Sequence, residues 1–285
     1  MTAVWLRRCG GRIVVSVALL TGGVANVHSA EEVPFITTPD RVAMAMLEIA
    51  KVGPTDHVID LGSGDGRIVI LAAKQFGARG LGVEIVPELV QRSRLNAQRV
   101  GVEERVEFRE QDLFKTDLGA ATVITMYLLP DVNLQLRPLL LSLEPGTRIV
   151  SHDWDMGDWP PERTLIIPVP DKAVGLDKFS RVHLWVVPGR VHGLWCGQGR
   201  VRGGALRITQ DFHLITARLG GVPDIEGFQG RIDASLLNAR AAGGGEIRFE
   251  LRGDRLVVQQ AAGSLTALDN VSFIRSRLAA CERKP

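Results

Sequence analysis

The chain is poor in cysteine and almost without tyrosine. Three cysteines and one tyrosine occur in 285 residues. So few thiols exclude a disulfide-dense scaffold and the clustered Cys/His spacing of a structural zinc module. Cys9 lies near the N-terminus, which leaves Cys196 and Cys281, two thiols able to pair in an oxidising compartment or to stay free. An excess of one charge is also missing. With 34 basic and 32 acidic side chains the net charge is +2, and bulk charge gives no strong nucleic-acid signal. Past the first thirty residues no apolar run is long enough to span a bilayer. There is no Gly-x-Ser-x-Gly elbow and no Cys/His protease-like constellation.

What is present begins with a leader. Arg7, Arg8 and Arg12 precede the apolar run Ile13 to Leu20, and the small residues Ser29 and Ala30 come before Glu31 and Glu32. That order is the grammar of a secretory signal, or of an N-terminal anchor if it is not cleaved. Residues 1–30 are therefore expected to be a signal peptide or anchor. The chain is exported or periplasmic if the leader is cut and membrane-anchored if it is not.

Residues 33–188 alternate short apolar runs with amphipathic helical ones. The pattern predicts helices over 40–52, 66–77, 87–101 and 130–146, the first with Asp40 as its cap. It predicts strands over 57–61, 80–85, 105–110, 121–128, 147–154, 163–169 and 181–187. Strands alternating with helices imply right-handed crossovers and an α/β fold: a Rossmann-like, doubly wound, mostly parallel seven-stranded sheet. After Pro188 the helical period stops. Residues 189–278 read as a small all-β domain of short alternating strands, with Arg252-Gly-Asp-Arg255 as a hairpin tip, and 279–285 as a disordered tail. This appendage carries 14 basic and 9 acidic side chains over 189–285, and it suits a lid, an oligomer contact or a binding surface.

The most informative stretch is "HVIDLGSGDGRIVI", residues 57–70. An acid, Asp60, ends an apolar strand, and Gly62, Ser63, Gly64 and Gly66 follow before a helix begins. Such a turn has little side-chain bulk and places the free N–H groups of a helix start against a ligand. It suits a dinucleotide or S-adenosylmethionine. The dinucleotide fingerprint asks for Gly or Ala where Arg67 stands. Glu84 closes the second strand, where a carboxylate accepts ribose hydroxyls. Asp112, followed by Leu113, comes after the third strand and is placed to accept from an adenine amino group, or simply to cap a turn.

The order Asp60–Gly66, Glu84, Gln111-Asp112-Leu113 resembles the cofactor motifs of class I S-adenosylmethionine-dependent methyltransferases. Pairing of "PFITTPDRVAMAMLEIA" (34–50) with "DLGSGDGRIVI" (60–70) is similar to the group that methylates lysines of the ATP synthase c-subunit and of the adenine nucleotide translocase. The resemblance covers a little over half of the chain. It implies S-adenosyl-L-methionine as cofactor, a place for Thr37 and Thr38 near it, and a protein or small amine as methyl acceptor. It is strong for the cofactor and weak for the acceptor. Two other readings stay open, a small-molecule methyltransferase and a non-catalytic exported Rossmann-like binding module.

In this fold the acceptor enters beyond the fourth and fifth strands. The fourth ends in "TMYLLP", not in the Asn/Asp-Pro-Pro-Tyr/Phe signature of adenine and glutamine methylation. Tyr127 falls there, suited to orient an amine or to offer a cation–π face, or simply to pack. The fifth runs into "SHDWDMGDW", with Asp153 and Asp155 as candidate acids for a cationic acceptor beside Trp154 and Trp159. Tyr127, Asp153 and Asp155 are the candidate catalytic residues. His152-x-x-Asp155 is a conceivable metal pair, but no third ligand is identifiable, so no metal is expected.

Overall fold

The computed structural model describes residues 36–281 apart from 174 and 222–226. The leader expected over 1–30 lies outside the described residues, as do 282–285.

The α/β part runs α1 (Asp40–Ile49), β1 (His57–Leu61), α2 (Arg67–Phe76), β2 (Arg79–Glu84), α3 (Pro87–Val100), β3 (Val106–Glu110), β4 (Val123–Met126), α4 (Pro130–Leu140), β5 (Arg148–His152), β6 (Arg163–Pro168) and β7 (Phe179–Val186). The strands form one seven-stranded sheet in the order β3-β2-β1-β4-β5-β7-β6. β1 to β5 are parallel to one another, while β7 runs antiparallel between β5 and β6. The sheet is therefore mixed. A short β6–β7 connection leaves no room for a crossover helix, so the last strand has to come back against its neighbours.

Alternation along β1 divides the core. Val58 packs with Val42 and Met46 of α1 and with Ile68 and Ala72 of α2. Ile59 and Leu61 face the other way, toward Leu136 and Leu140 of α4 and toward Trp159 and Trp185. Helices α2 and α3 share a further cluster with Phe108 of β3. The expected doubly wound arrangement is thus lopsided. Residues 153–162, led by Met156 and Trp159, cover much of the surface that a second helix on the α4 side would take.

Two local expectations are corrected. Asp40 does not cap α1; Pro39 holds the cap position and Asp40 is the first helical residue, with its carboxylate 3.5 Å from Arg67. Helix α4 stops at Leu140 rather than running to 146, shortly after Pro138, whose missing N–H weakens the helix there.

The C-terminal part is a closed barrel. Its strands are β8 (Gly193–Gly197), β9 (Ala205–Asp211), β10 (Leu214–Gly220), β11 (Gly227–Asp233), β12 (Leu236–Ala241), β13 (Glu246–Arg252), β14 (Arg255–Ala262) and β15 (Ser272–Arg275), with short 3-10 turns at Gly199–Val201 and Gly263–Leu268. Inward residues including Trp195, Phe228, Phe249 and Phe273 fill it, as expected for eight strands. Arg252 and Arg255 pair across the Gly-Asp hairpin tip. A disulfide joins Cys196 of β8 to Cys281. The tail expected to be disordered from 279 is therefore anchored at Cys281.

The attachment point matters for function. Val186, the last residue of β7, pairs with Arg148, the first residue of β5. The chain leaves the sheet at the edge opposite to the C-terminal ends of the parallel strands, so the barrel is not placed as a lid over them. At the junction Phe212 stacks on Trp159 with centroids 6.0 Å apart. Glu162 meets both His213, at 3.0 Å, and Arg231, which also holds Asp233 at 2.6 Å.

The disulfide closes a loop of 85 residues around the barrel. Replacing both cysteines by alanine is expected to cost about 2–4 kcal/mol of stability. Denaturant unfolding followed by tryptophan fluorescence checks this, and an unchanged midpoint would contradict it.

Candidate active site

The glycine turn after β1 is held from three sides. The N–H groups of Gly62 and Ser63 donate to the carbonyl of Val83 at 3.0 and 2.9 Å, which docks the turn on β2. Gly62, Gly64 and Gly66 all have positive φ, at 76°, 55° and 80°. A side chain at Gly66 is also excluded by contact: a Cβ there would lie 2.7 Å from Phe108 and Ser93. Gly66 thus serves close helix-to-strand packing and has no room to touch a ligand through a side chain. Asn96 of α3 donates to the carbonyl of Asp65 at 3.0 Å and fixes the outer bend.

Glu84 sits where β2 ends. Its Oε2 accepts the N–H of Gly64 at 2.9 Å, and its Oε1 accepts those of Ile85 and Val86 at 2.8 and 3.0 Å. A carboxylate has about four acceptor positions, so one remains at Oε2 for a ligand hydroxyl. The turn and the carboxylate are therefore one unit.

Asp60 is 3% exposed and accepts from Thr125 of β4 at 2.7 Å. Burial raises its pKa from 3.8 to about 7, against the Thr125 hydrogen bond and with added repulsion from Glu84 and Asp65. The Ser63 hydroxyl is buried and has no hydrogen-bond partner among the described residues. A buried acid poised near neutrality and an unsatisfied hydroxyl are the groups expected of a site completed by a cationic, hydrogen-bonding ligand. The ammonium and sulfonium charges of S-adenosylmethionine fit that donor set.

Arg67 explains why the dinucleotide pattern is broken. Its guanidinium bonds Asp65 at 3.0 and 2.7 Å and donates to the Thr38 carbonyl at 3.0 Å. It clamps the glycine turn to the segment before α1. Thr38, 5% exposed, in turn meets Nδ1 of His152 at 3.1 Å through its hydroxyl. Nε2 of His152 lies 2.8 Å from the Ser180 hydroxyl. Burial pushes the imidazole well below its ordinary pKa, aided by the Lys172 ammonium and opposed by the Asp153 carboxylate, so the ring is neutral.

The other expected residues divide. Tyr127 follows β4 and lies against His152, ring centroids 3.9 Å apart. Burial and the neighbouring Asp153 carboxylate raise its hydroxyl above the ordinary phenol value. Asp153 follows β5 with φ at 63°, a left-handed conformation that Asp tolerates better than most residues. It exchanges main-chain and side-chain bonds with Arg181 of β7 and pairs with Lys172 at 2.7 Å. Asp155 is different. It is exposed and its carboxylate accepts the N–H of Gly157 at 3.0 Å, an Asx turn rather than part of the cluster. Asp112 caps the short 3-10 turn Leu113–Lys115 through the N–H of Phe114 at 2.9 Å, and Leu113 packs partly on the core. Asp112 Oδ2 is left with only Lys115, 3.5 Å away.

Thr125, Ser180 and Lys172 belong to the same cluster and had no signal in the sequence. Thr125 reaches Asp60 only through the β1–β4 register, and Lys172 and Ser180 only because β7 turns back beside β5.

The raised Asp60 pKa has a pH consequence. Between about pH 4 and pH 7 the unfolded chain ionises this carboxyl before the folded chain does. The Asp60 contribution therefore destabilises the ligand-free protein as pH rises through that window and is constant above it. Asp60→Asn is expected to flatten that slope in denaturant midpoints measured from pH 4 to 8; a parallel slope in the variant would contradict the assignment.

Residues 60–163 match the ANTKMT methyltransferase domain, which places the match on the glycine turn, β2 to β5 and the segment up to the start of β6, short of the barrel. A protein-lysine N-methyltransferase of Saccharolobus islandicus is 44% identical over 135 residues, covering 47% of this chain and 84% of that protein. A lysine N-methyltransferase of the ATP synthase c-subunit from Rattus norvegicus is 32% identical over 158 residues, 54% of this chain and 71% of that one. Among solved structures, an RNA methyltransferase from Salinibacter ruber in complex with S-adenosyl-L-homocysteine is 51% identical and covers 55% of this chain and 96% of its own, with a TM-score of 0.49. With its glycine turn, Glu84 and the corner beyond β4 and β5 all inside the shared region, the chain belongs to the S-adenosylmethionine-dependent methyltransferases of the adenine nucleotide translocase and ATP synthase c-subunit lysine methyltransferase type.

Proposed function

We propose that the chain transfers a methyl group from S-adenosylmethionine to the side-chain amine of a lysine in a protein. The observation that carries this is the corner formed by Tyr127, His152 and Asp153 beyond β4 and β5, tied through Thr38 and Arg67 to the glycine turn. The names of the relatives above point to the same acceptor class.

The cofactor, when bound, supplies an electrophilic methyl on a sulfonium. Asp60, Ser63, the Gly62–Gly66 turn and Glu84 are assigned to holding it, with Thr38 beside it and Asp112 and Leu113 at the adenine end. Methyl transfer is an in-line displacement, so the chain's main task is positioning. A lysine ammonium has no lone pair until it loses a proton. Asp153 attracts the ammonium, and the ammonium proton passes to solvent water before transfer. The Tyr127 hydroxyl orients the neutral amine so that its lone pair forms the N–CH3 bond as the S–CH3 bond breaks. The neutral His152 does not take that proton, since both ring nitrogens already face hydroxyls. It is a positioning residue that fixes the Tyr127 ring. Asp155, bound in its own turn, is not needed for these roles.

The test is transfer of labelled methyl to lysine-bearing proteins, read by mass spectrometry at single residues. Tyr127→Phe is expected to lower turnover about tenfold or more, the size of one misplaced catalytic contact, while cofactor affinity stays within about twofold. Equal turnover would reduce Tyr127 to packing, and label on nitrogen of a nucleobase instead of lysine would overturn the acceptor class.

A further inference from the structure

The two oxygens of Asp153 have separate duties. Oδ1 accepts the N–H of Arg181 at 2.9 Å, which locks the carboxylate against β7. Oδ2 takes the ammonium of Lys172 at 2.7 Å, and the same ammonium donates to the carbonyl of Phe179 at 2.9 Å. The Lys172 and Asp153 side chains are only 13% and 11% exposed. A primary ammonium is thus held between a fixed carboxylate and a carbonyl, beside the Tyr127 phenol and the His152 ring. As a stabilising device this is poor, because burying an ion pair costs desolvation that the attraction only roughly offsets. As a receptor for an ammonium on an aliphatic stem it is well made.

We propose that Asp153 Oδ2 and the Phe179 carbonyl form the ammonium subsite of the methyl acceptor, and that Lys172 fills it in cis as an internal stand-in which the incoming lysine displaces. The proposal rests on the lysine-methylation reading above. It makes acceptor entry an exchange of one primary ammonium for another, so neutral side chains of the same length do not open the site. Mono- and dimethyl-lysine keep an N–H for Asp153, whereas trimethyl-lysine has none. Loss of that donor favours return of Lys172 and release of a fully methylated product. An internal competitor also lowers apparent acceptor affinity by the fraction of time the subsite is free.

The experiment uses the full chain saturated with S-adenosyl-L-homocysteine and titrates N-acetyl-lysine methylamide by calorimetry, with the norleucine analogue as the uncharged control. Lys172→Met is expected to tighten lysine-probe binding by about fivefold or more, as removal of a mostly occupied competitor requires. Asp153→Asn is expected to weaken it in both backgrounds, and the norleucine probe to give no response. In the wild-type chain, where no variant has to fold, acetylation of the Lys172 amine by acetic anhydride should rise as the dimethyl-lysine form of the probe is added, whose tertiary amine forms no stable amide but keeps an N–H for Asp153 when protonated. Equal probe affinity in wild type and a folded Lys172→Met, or Lys172 labelling that ignores the probe, would overturn this inference and leave the methyltransfer reading intact. Failure of the chain to bind S-adenosyl-L-homocysteine at all would overturn both.

Discussion

The carboxylate of Glu84 accepts three main-chain N–H groups, one of them from Gly64 across the groove between β1 and β2. The site depends on that contact. It converts a glycine-rich turn, which would otherwise be costly to order, into a fixed surface. It also aims the end of β2 at the same space as Asp60. One acceptor position of Glu84 stays open, in the same turn that carries the buried Asp60 and the unpartnered Ser63 hydroxyl. Charge-assisted hydrogen bonds of this kind are stronger than neutral ones, so one side chain shapes the turn.

A second chain of contacts carries this order to the acceptor corner. Arg67 joins Asp65 of the turn to the carbonyl of Thr38, Thr38 meets His152, and His152 supports Tyr127 and touches Ser180. The glycine turn after β1 and the Tyr127–His152 corner beyond β4 and β5 are therefore one connected network that reaches β7 through Ser180. The barrel stands apart from it. Its chain leaves β7 at the end of the sheet where the parallel strands begin, and it is filled by its own side chains. It contacts the α/β part through residues 153–162, which end at Glu162 against His213 and Arg231, and through Arg190, which donates to the carbonyls of Ser142 and Leu143.

Much of the α/β half was legible because its signals are local. Asp60 through Gly66 can be read as a turn from backbone requirements alone, and Val42, Met46 and Ile49 recur at helical spacing and are all buried. The Gly-Asp tip between β13 and β14 is another local signal that holds. What could not be read is non-local. The reversal of β7 decides that Arg181 and Lys172 reach Asp153 and that Ser180 reaches His152, and no periodicity records strand direction. Asp153 and Asp155 look equivalent in sequence. The left-handed backbone at Asp153 turns its carboxylate toward β7, while Asp155 spends its own on the N–H of Gly157. Asp112 shows both faces of such ambiguity, since it caps a turn and keeps one oxygen directed elsewhere. Barrel closure is likewise a pairing of β8 with β15, some 75 residues apart in the chain, which alternating hydrophobicity alone does not specify.

The role given to Glu84 is checked by calorimetric titration of S-adenosylmethionine into the full chain, beside Glu84→Ala. Saturable binding to the wild-type chain is expected, with a loss of about 1–2 kcal/mol or more in the variant, the size of one charge-assisted hydrogen bond, and the sheet still folded by circular dichroism. Absence of binding to the wild-type chain, or equal affinity in a folded variant, would contradict it.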